Sequence, residues 1–125
     1  MTTIDPKRIF VLDDEPDMTI LTEHMLKLRG FTVFVSNDST RGLEQLLSKD
    51  VDGIVIDLMM PGLDGFAVIN KLRASARHAK TPIVVLSAKR LNDSERKSML
   101  NHRVHFVSKP ITPTRLIQVV SESVI

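Results

Sequence analysis

Several features are missing from this 125-residue chain, and each absence excludes a class of protein. The chain contains no cysteine, which rules out disulfide bonds and thiolate chemistry. No uninterrupted apolar stretch approaches the roughly 18 residues that a membrane-spanning helix needs. The first ten residues lack a basic stretch followed by an apolar one, which is the pattern of a secretory signal. We therefore expect a cytoplasmic protein that does not insert into a membrane.

The overall composition is that of an ordinary globular protein, with 42% hydrophobic and 26% charged residues. The length suits one domain, which we expect to span residues 1–125. The net charge of +2 is unevenly distributed, because residues 88–125 carry seven basic and three acidic side chains. This local charge of +4 indicates an interaction with an acidic partner or with a second copy of the chain, and we expect no direct contact with nucleic acid.

Short apolar runs rich in β-branched residues predict five strands. Three of them, residues 9–12, 54–56 and 83–86, are apolar without alternation, which is typical of parallel strands covered on both faces. The runs 31–35 and 104–107 are more mixed, and the polar interruption in the first suits an edge strand.

Helical spacing of apolar residues fills the intervals between these strands. Met18, Leu21, Met25 and Leu28 recur at steps of three and four, and Gly30 is the expected cap at the end of that helix. The expected N-terminal caps of the four later helices are Ser39, Asp64, Asn92 or Asp93, and Thr112. Strict alternation of five strands with five helices predicts an α/β fold with a doubly wound parallel sheet.

In such a sheet ligands bind beyond the carboxyl ends of the strands, so the residue after each apolar run is informative. Those residues are Asp13 and Asp14, Asp57, Ser87 and Lys109. Two carboxylates about 4 Å apart repel by roughly 4 kcal/mol at an effective dielectric near 20, so three of them need a compensating cation. Clustered oxygens without neighbouring histidine or cysteine suit Mg²⁺.

Asp57 is the best candidate nucleophile of this group, because a carboxylate can attack a phosphoryl donor and form an acyl phosphate. It follows the most apolar strand and enters a turn containing Pro61, Gly62 and Gly65. Lys109 supplies positive charge, and Ser87 can donate a hydrogen bond to a phosphoryl oxygen.

Four segments of the chain resemble, in order and spacing, the signature segments of bacterial response-regulator receiver domains of the chemotaxis-receiver type. They are VLDDEPDM, IVIDLMMPGLDGF, VVLSAK and FVSKP. The resemblance covers essentially the whole chain and implies a flavodoxin-like fold with strand order 2-1-3-4-5.

The same resemblance implies a role for each site residue. Asp13, Asp14, Asp57 and the Met59 backbone carbonyl would bind Mg²⁺, and Asp57 would also be the phosphoacceptor. Ser87 and Lys109 would hold the phosphoryl oxygens, and Phe106 would respond to Ser87 as the switch aromatic. The phosphodonor would be a histidine kinase or a histidine-containing phosphotransfer protein.

Three other functions are alternatives to this one, and the residues of the site argue against the first two. A haloacid-dehalogenase-type phosphatase needs a second Asp two residues after the first, where this chain has Met59, which cannot transfer a proton. A flavodoxin-like flavin-binding module needs a phosphate-binding loop after the first strand, where Asp13, Asp14 and Glu15 would repel the phosphate. A pseudo-receiver that binds partners without phosphotransfer is the principal alternative. The four histidines show no paired metal-ligand spacing.

The sequence does not reveal the output. A stand-alone receiver and the amino-terminal part of a longer regulator are equally compatible with it. We expect the face formed by residues 88–125 to contact an output domain or partner, or to form a homodimer on phosphorylation. By the same resemblance, Met59 and Lys89 would flank the path of the water that hydrolyses the acyl phosphate. Neither side chain positions this water, so we expect slow self-dephosphorylation.

Overall fold

The computed structural model describes residues 6–60, 62, 65–88 and 90–124. Strands and helices alternate through the whole of this chain, as predicted. In order they are β1 Arg8–Leu12, α1 Pro16–Leu28, β2 Thr32–Ser36, α2 Ser39–Leu47, β3 Gly53–Asp57, α3 Gly65–Ala74, β4 Ile83–Ser87, α4 Asp93–Asn101, β5 His105–Ser108 and α5 Pro113–Ser123.

The five strands form one parallel sheet in the order β2-β1-β3-β4-β5. This confirms the predicted flavodoxin-like strand order. The two continuously apolar strands β3 and β4 are buried along their whole length. The mixed strands β2 and β5 lie at the two edges, where one side of each strand pairs with no other strand among the described residues.

Two apolar layers cover the sheet, because successive side chains of a strand point to opposite faces. In β1, Phe10 and Leu12 join the core beneath α2, α3 and α4, whereas Ile9 and Val11 join the core beneath α1 and α5. The second core is completed by the buried face of α5, formed by the predicted residues Leu116, Ile117 and Val120.

The first helix buries a different stripe from the one predicted. The residues facing the sheet are Thr19, Thr22 and Leu26, whereas Leu21 and Leu28 are exposed. Of the predicted stripe, Met25 is partly buried and packs against the core beneath α1 and α5, as predicted. With Met18 and Leu21 it lines a small groove that α5 residues such as Leu116 complete. The spacing of apolar residues did not reveal the buried face, because two of the residues on it are threonines, which are polar. Thr19 can be buried because its hydroxyl donates a hydrogen bond to Pro16 O.

The residues at the helix ends match the predicted ones in three cases and differ from the prediction in one. Gly30, at a φ of +90°, follows α1, and Thr112 and Asn92 cap α5 and α4, the latter within a capping box that includes Glu95. Helix α2 is capped by Asp38, whose carboxylate accepts from the Arg41 amide, and Ser39 is the first residue inside the helix. The predicted cap Asp64 lies outside the described residues.

The end of the sheet opposite the carboxyl ends is held by Arg73 of α3. Its guanidinium donates to the backbone carbonyls of His78, Thr81, His102 and Arg103 at 2.6–3.4 Å. One side chain thereby ties α3 to the loop before β4 and to the loop between α4 and β5. Among the described residues, no helix is long and apolar enough to cross a lipid bilayer.

Candidate functional site

The parallel strands bring the residues at their carboxyl ends to one edge of the sheet. Asp13 follows β1, Asp57 ends β3, Ser87 ends β4 and Lys109 follows β5. Asp13, Asp57 and Ser87 are buried, and Lys109 is partly buried. Polar groups are costly to bury without partners, so this concentration marks the edge as a site rather than a packing surface.

Three carboxylates meet at this edge. Asp13, Asp14 and Asp57 each offer an oxygen, and these oxygens all lie within 4.8 Å of one another. Burial raises the pKa of Asp13, and the charge of Asp57 raises it further. The hydrogen bond from the Glu15 amide and the charge of Lys109 offset this increase only in part. The site therefore concentrates negative charge beyond what its own side chains neutralise.

Lys109 is the cation that faces this cluster. Its Nζ donates to Asp57 Oδ2 at 2.8 Å and lies 3.9 Å from Asp13 Oδ2. Burial lowers the pKa of Lys109, but the hydrogen bond to Asp57 and the charges of Asp57 and Asp13 outweigh that effect and leave the pKa raised. The ammonium group therefore stays protonated and bound to Asp57. The Lys109-Pro110 peptide bond is cis.

The loop after β3 turns back over Asp57. The Met59 amide donates to Asp57 Oδ1 at 2.9 Å, so the two oxygens of Asp57 have different partners. The Met59 side chain is 59% exposed at the rim. Pro61 and Asp64 of the predicted turn, and Lys89 after β4, lie outside the described residues.

Ser87 and Phe106 lie on adjacent strands. In the β4–β5 register Ser87 pairs with Ser108 and Val85 pairs with Phe106, so the two side chains emerge on the same face of the sheet. Ser87 is fully buried, whereas Phe106 is partly buried against the core beneath α2, α3 and α4. Phe106 and Val104 line a pocket of about 620 Å³ together with Leu91, Met99 and Leu100 of the α4 region.

Sequence reasoning missed two residues that organise the site and its supporting loops. Asn37, just after β2, donates its side-chain amide to Asp13 O at 2.7 Å and to Thr19 Oγ1 at 3.0 Å. Arg73 binds four carbonyls at the opposite end. An asparagine after a strand is typical of turns, and an arginine on a helix is typical of a solvated surface, so neither type carried a signal.

Comparison with known proteins identifies the family. The sequence profile of the response regulator receiver domain matches residues 9–121, and the chain belongs to that family. It is 30% identical over 111 residues to "Response regulator GtcR" of Aneurinibacillus migulanus, covering 89% of this chain and 45% of that protein. The chain spans about half or less of the length of the first curated relatives it matches.

Solved structures share the fold at low sequence identity. The chemotaxis response regulator CheY4 of Vibrio cholerae has a TM-score of 0.85 at 20% identity, with 94% of this chain and 98% of that one covered. The receiver domain of the sensor histidine kinase PA1611 of Pseudomonas aeruginosa, solved with a magnesium ion in its active site cleft, has a TM-score of 0.81 at 23% identity over 95% and 98%. Both likenesses support the fold.

The family assignment defines the general role of the chain. Receiver domains are signalling domains of two-component systems, in which they work with histidine kinases and output domains. Phosphorylation and Mg²⁺ binding in an acidic site are characteristic of the family, and the three-carboxylate cluster of this chain is consistent with that property.

Proposed function

We propose that this chain accepts a phosphoryl group on Asp57 in a Mg²⁺-dependent reaction. The observation that carries the proposal is the bond between Lys109 Nζ and Asp57 Oδ2, inside a cluster of three carboxylates. A buried nucleophile, a fixed cation and metal-binding oxygens at one point are what phosphoryl transfer requires, since it depends on positioning and charge neutralisation.

The donor set suits Mg²⁺. Asp13, Asp14 and Asp57 offer hard carboxylate oxygens, and the Met59 backbone carbonyl is the proposed fourth protein ligand. The raised pKa of Asp13 reflects burial together with repulsion from Asp57, and a divalent cation relieves that repulsion. When bound, Mg²⁺ would neutralise charge on the transferred phosphoryl group.

The residues of the chain supply the rest of the chemistry. A carboxylate oxygen of Asp57 attacks the phosphorus of a phosphohistidine, the P–N bond breaks, and the departing imidazole takes up a proton. Lys109 exchanges its Asp57 contact for the oxygens of the new acyl phosphate, and the Ser87 hydroxyl donates to another of these oxygens. The proposed donor is a histidine kinase or a histidine phosphotransfer protein in the cytoplasm.

Incubation with acetyl phosphate and Mg²⁺, followed by intact-protein mass spectrometry, tests this function. We expect one phosphoryl group on the wild-type chain and none on Asp57→Asn or in EDTA. Asp50→Asn is a matched control, because Asp50 pairs with Arg77 at the surface, outside the carboxylate cluster. Labelling of Asp57→Asn equal to that of the wild type would disprove the acceptor, and an unlabelled wild type would favour the pseudo-receiver alternative.

We also propose that phosphorylation switches the face formed by α4, β5 and α5. The new charge of about −1.5 to −2 draws Ser87 toward the phosphoryl oxygens. Phe106 emerges on the same face of the sheet as Ser87 and lines the pocket beside α4, which supports a change in its position when Ser87 moves. Phe106 carries no hydroxyl, so packing alone fixes its inward position.

Nuclear magnetic resonance can follow this switch. We expect phosphorylation to shift the signals of Phe106, Met99 and Val104 as well as those of the loops around Asp57. Phe106→Ala should keep the shifts around Asp57 and lose those of α4, because it removes the connecting side chain. Shifts confined to the loops around Asp57 in the wild-type chain would contradict the proposed switch.

A further inference from the structure

Asn37 connects two loops at the metal edge. It follows β2, and its side-chain nitrogen donates to the backbone carbonyl of Asp13 at 2.7 Å and to Thr19 Oγ1 at 3.0 Å. Both donor hydrogens of the amide are therefore used on the loop and helix that follow β1. Although Asn37 is exposed as a residue, its two acceptors belong to buried residues.

The bonds made by Asn37 continue into the loop that carries the carboxylates. Thr19 Oγ1 donates to Pro16 O, and the Thr19 amide donates to Glu15 O. The Glu15 amide in turn donates to Asp13 Oδ1, which fixes one oxygen of that carboxylate. The backbone of Asp13 is also held from β2, because its amide donates to Ser36 O at 3.2 Å. The segment from Asp13 to Thr19 is thus clamped from both sides.

We propose that Asn37 is a positioning residue that sets the geometry of the carboxylates of Asp13 and Asp14 for the cation. It does so by holding the Asp13 carbonyl, and it does not itself touch the metal or the phosphoryl group. This inference rests on the proposed Mg²⁺ site. Residues that orient metal ligands affect affinity even though they are not ligands, because a displaced carboxylate loses its preferred distance to the ion.

Asn37→Ala removes both donors, and Thr40→Ala is the matched control. Thr40 is an exposed residue in the first turn of α2, and among the described hydrogen bonds it makes none to the loop after β1. We expect Asn37→Ala to raise the Mg²⁺ dissociation constant, measured by calorimetry, by about tenfold, the lower end of the effect typical of residues that orient metal ligands. Thr40→Ala should leave it within about twofold of the wild type.

Thr19→Val tests the path of the effect, since it removes the hydroxyl that Asn37 binds and keeps the side-chain shape. If both residues act through one network, the Mg²⁺ dissociation constant of the double variant should lie within about twofold of that of the weaker-binding single variant. If the fold-increases in dissociation constant of the two single variants instead multiply in the double variant, Asn37 acts independently of Thr19, and the proposed network is wrong.

Amide hydrogen exchange without Mg²⁺ separates this inference from the proposed function. In Asn37→Ala the amides of Glu15 and Thr19 should exchange several-fold faster, while those of β3 keep their wild-type rates. A wild-type chain that binds no Mg²⁺ would disprove the metal site. Unchanged exchange at Glu15 and Thr19 would instead disprove the positioning role of Asn37.

Discussion

At the scale of single residues, the site is defined by an imbalance of charge. Three carboxylates face one lysine, and the pKa of Asp13 is raised by burial and by repulsion from Asp57. Groups arranged in this way favour ligand binding at the expense of folding stability, as functional sites often do. The stability of the metal-free chain therefore reports on the site.

Asp13→Asn should stabilise the metal-free protein. A carboxyl group whose pKa is raised in the folded state contributes stability at low pH that is lost as the pH rises through that pKa. Asn removes the ionisation, and its Oδ1 can still accept from the Glu15 amide. We expect a gain of about 1 kcal/mol in free energy of unfolding in EDTA at neutral pH, measured with urea.

Two further measurements check this explanation. The advantage of Asp13→Asn should shrink as the pH falls through the raised pKa of Asp13 toward 3.8, the ordinary value of the group, and should be largely gone below 3.8, where the wild-type carboxyl is protonated in both states. Addition of Mg²⁺ should stabilise the wild type and have little effect on the variant. A variant less stable than the wild type in EDTA would contradict the charge argument.

Met59 provides a second prediction for a single residue. Its thioether is a weak acceptor and does not orient a water molecule at the rim of the site. We expect the phosphorylated chain to lose its phosphoryl group over many minutes in excess Mg²⁺, and Met59→Asn to hydrolyse faster by about tenfold, which corresponds to ~1.4 kcal/mol of barrier. Phosphate release measures both rates.

The control for Met59→Asn is the same change at an exposed apolar residue distant from the site. Leu28→Asn serves this purpose, since Leu28 is 69% exposed at the end of α1. Decay of the wild type within seconds, or an equal rate in Met59→Asn and the wild type, would show that this position does not limit hydrolysis.

At the scale of helices and strands, sequence patterns predicted what depends on local chemistry. The capping residues Asn92 and Thr112 were predictable because a polar side chain before a helical pattern satisfies free amides. The cap of α2 was misassigned by one residue because Asp38 and Ser39 are both good capping types. The buried face of α1 was predicted only in part, because tertiary contacts decide which face of a helix meets the sheet, and the sequence pattern does not contain them.

The carboxyl end of helix α4 is held by helix α3, and no sequence pattern indicated this contact. The side chain of Arg73 in α3 donates to His102 O and Arg103 O just after α4, and to His78 O and Thr81 O before β4. Only Met99 of α4 is buried, so this anchor substitutes for apolar packing at its carboxyl end. The helix is thus held at one end and borders a cavity along its side.

Arg73→Met should lower the free energy of unfolding by about 2 kcal/mol, because it removes the charged donor and leaves its carbonyl acceptors without that hydrogen bond. The exposed Lys71→Met on the same helix is the control and should change it by less than about 0.5 kcal/mol. Urea denaturation measures both. Equal effects of the two substitutions would show that Arg73 does not act as an anchor.

At the scale of the whole molecule, the sequence predicted that the site residues meet at one edge of the sheet. It did not predict the hydrogen bonds that hold the surrounding loops in place. Asp13, Asp57 and Lys109 meet because the parallel sheet brings the carboxyl ends of its strands together. The alternating pattern predicted the parallel sheet, and the family resemblance implied the order of its strands. Asn37 and Arg73 act through backbone carbonyls, which every residue possesses. Such partners become visible only in three dimensions.

The charge distribution leads to a prediction about self-association. Residues 88–125 carry a local charge of +4, but α4, β5 and α5 themselves each carry no net charge, because the acidic and basic side chains within each of them balance. We therefore expect a homodimer of the phosphorylated chain through these elements to respond only weakly to salt. Sedimentation at roughly 0.05 and 0.5 M salt measures this response. A dimer that weakens or strengthens strongly with salt would use another surface.

The position of α5 in the chain also bears on biosynthesis. Its residues Leu116, Ile117 and Val120 cover the side of β1 and β3 that α1 shares, and Val124 packs so closely on Gly53 that a methyl group there would meet it at 2.5 Å. During translation, the side of β1 and β3 that α5 covers therefore has only α1 to shield it until α5 has left the ribosome. We expect nascent chains stalled before α5 to be recognised by chaperones and degraded, whereas those stalled beyond it fold.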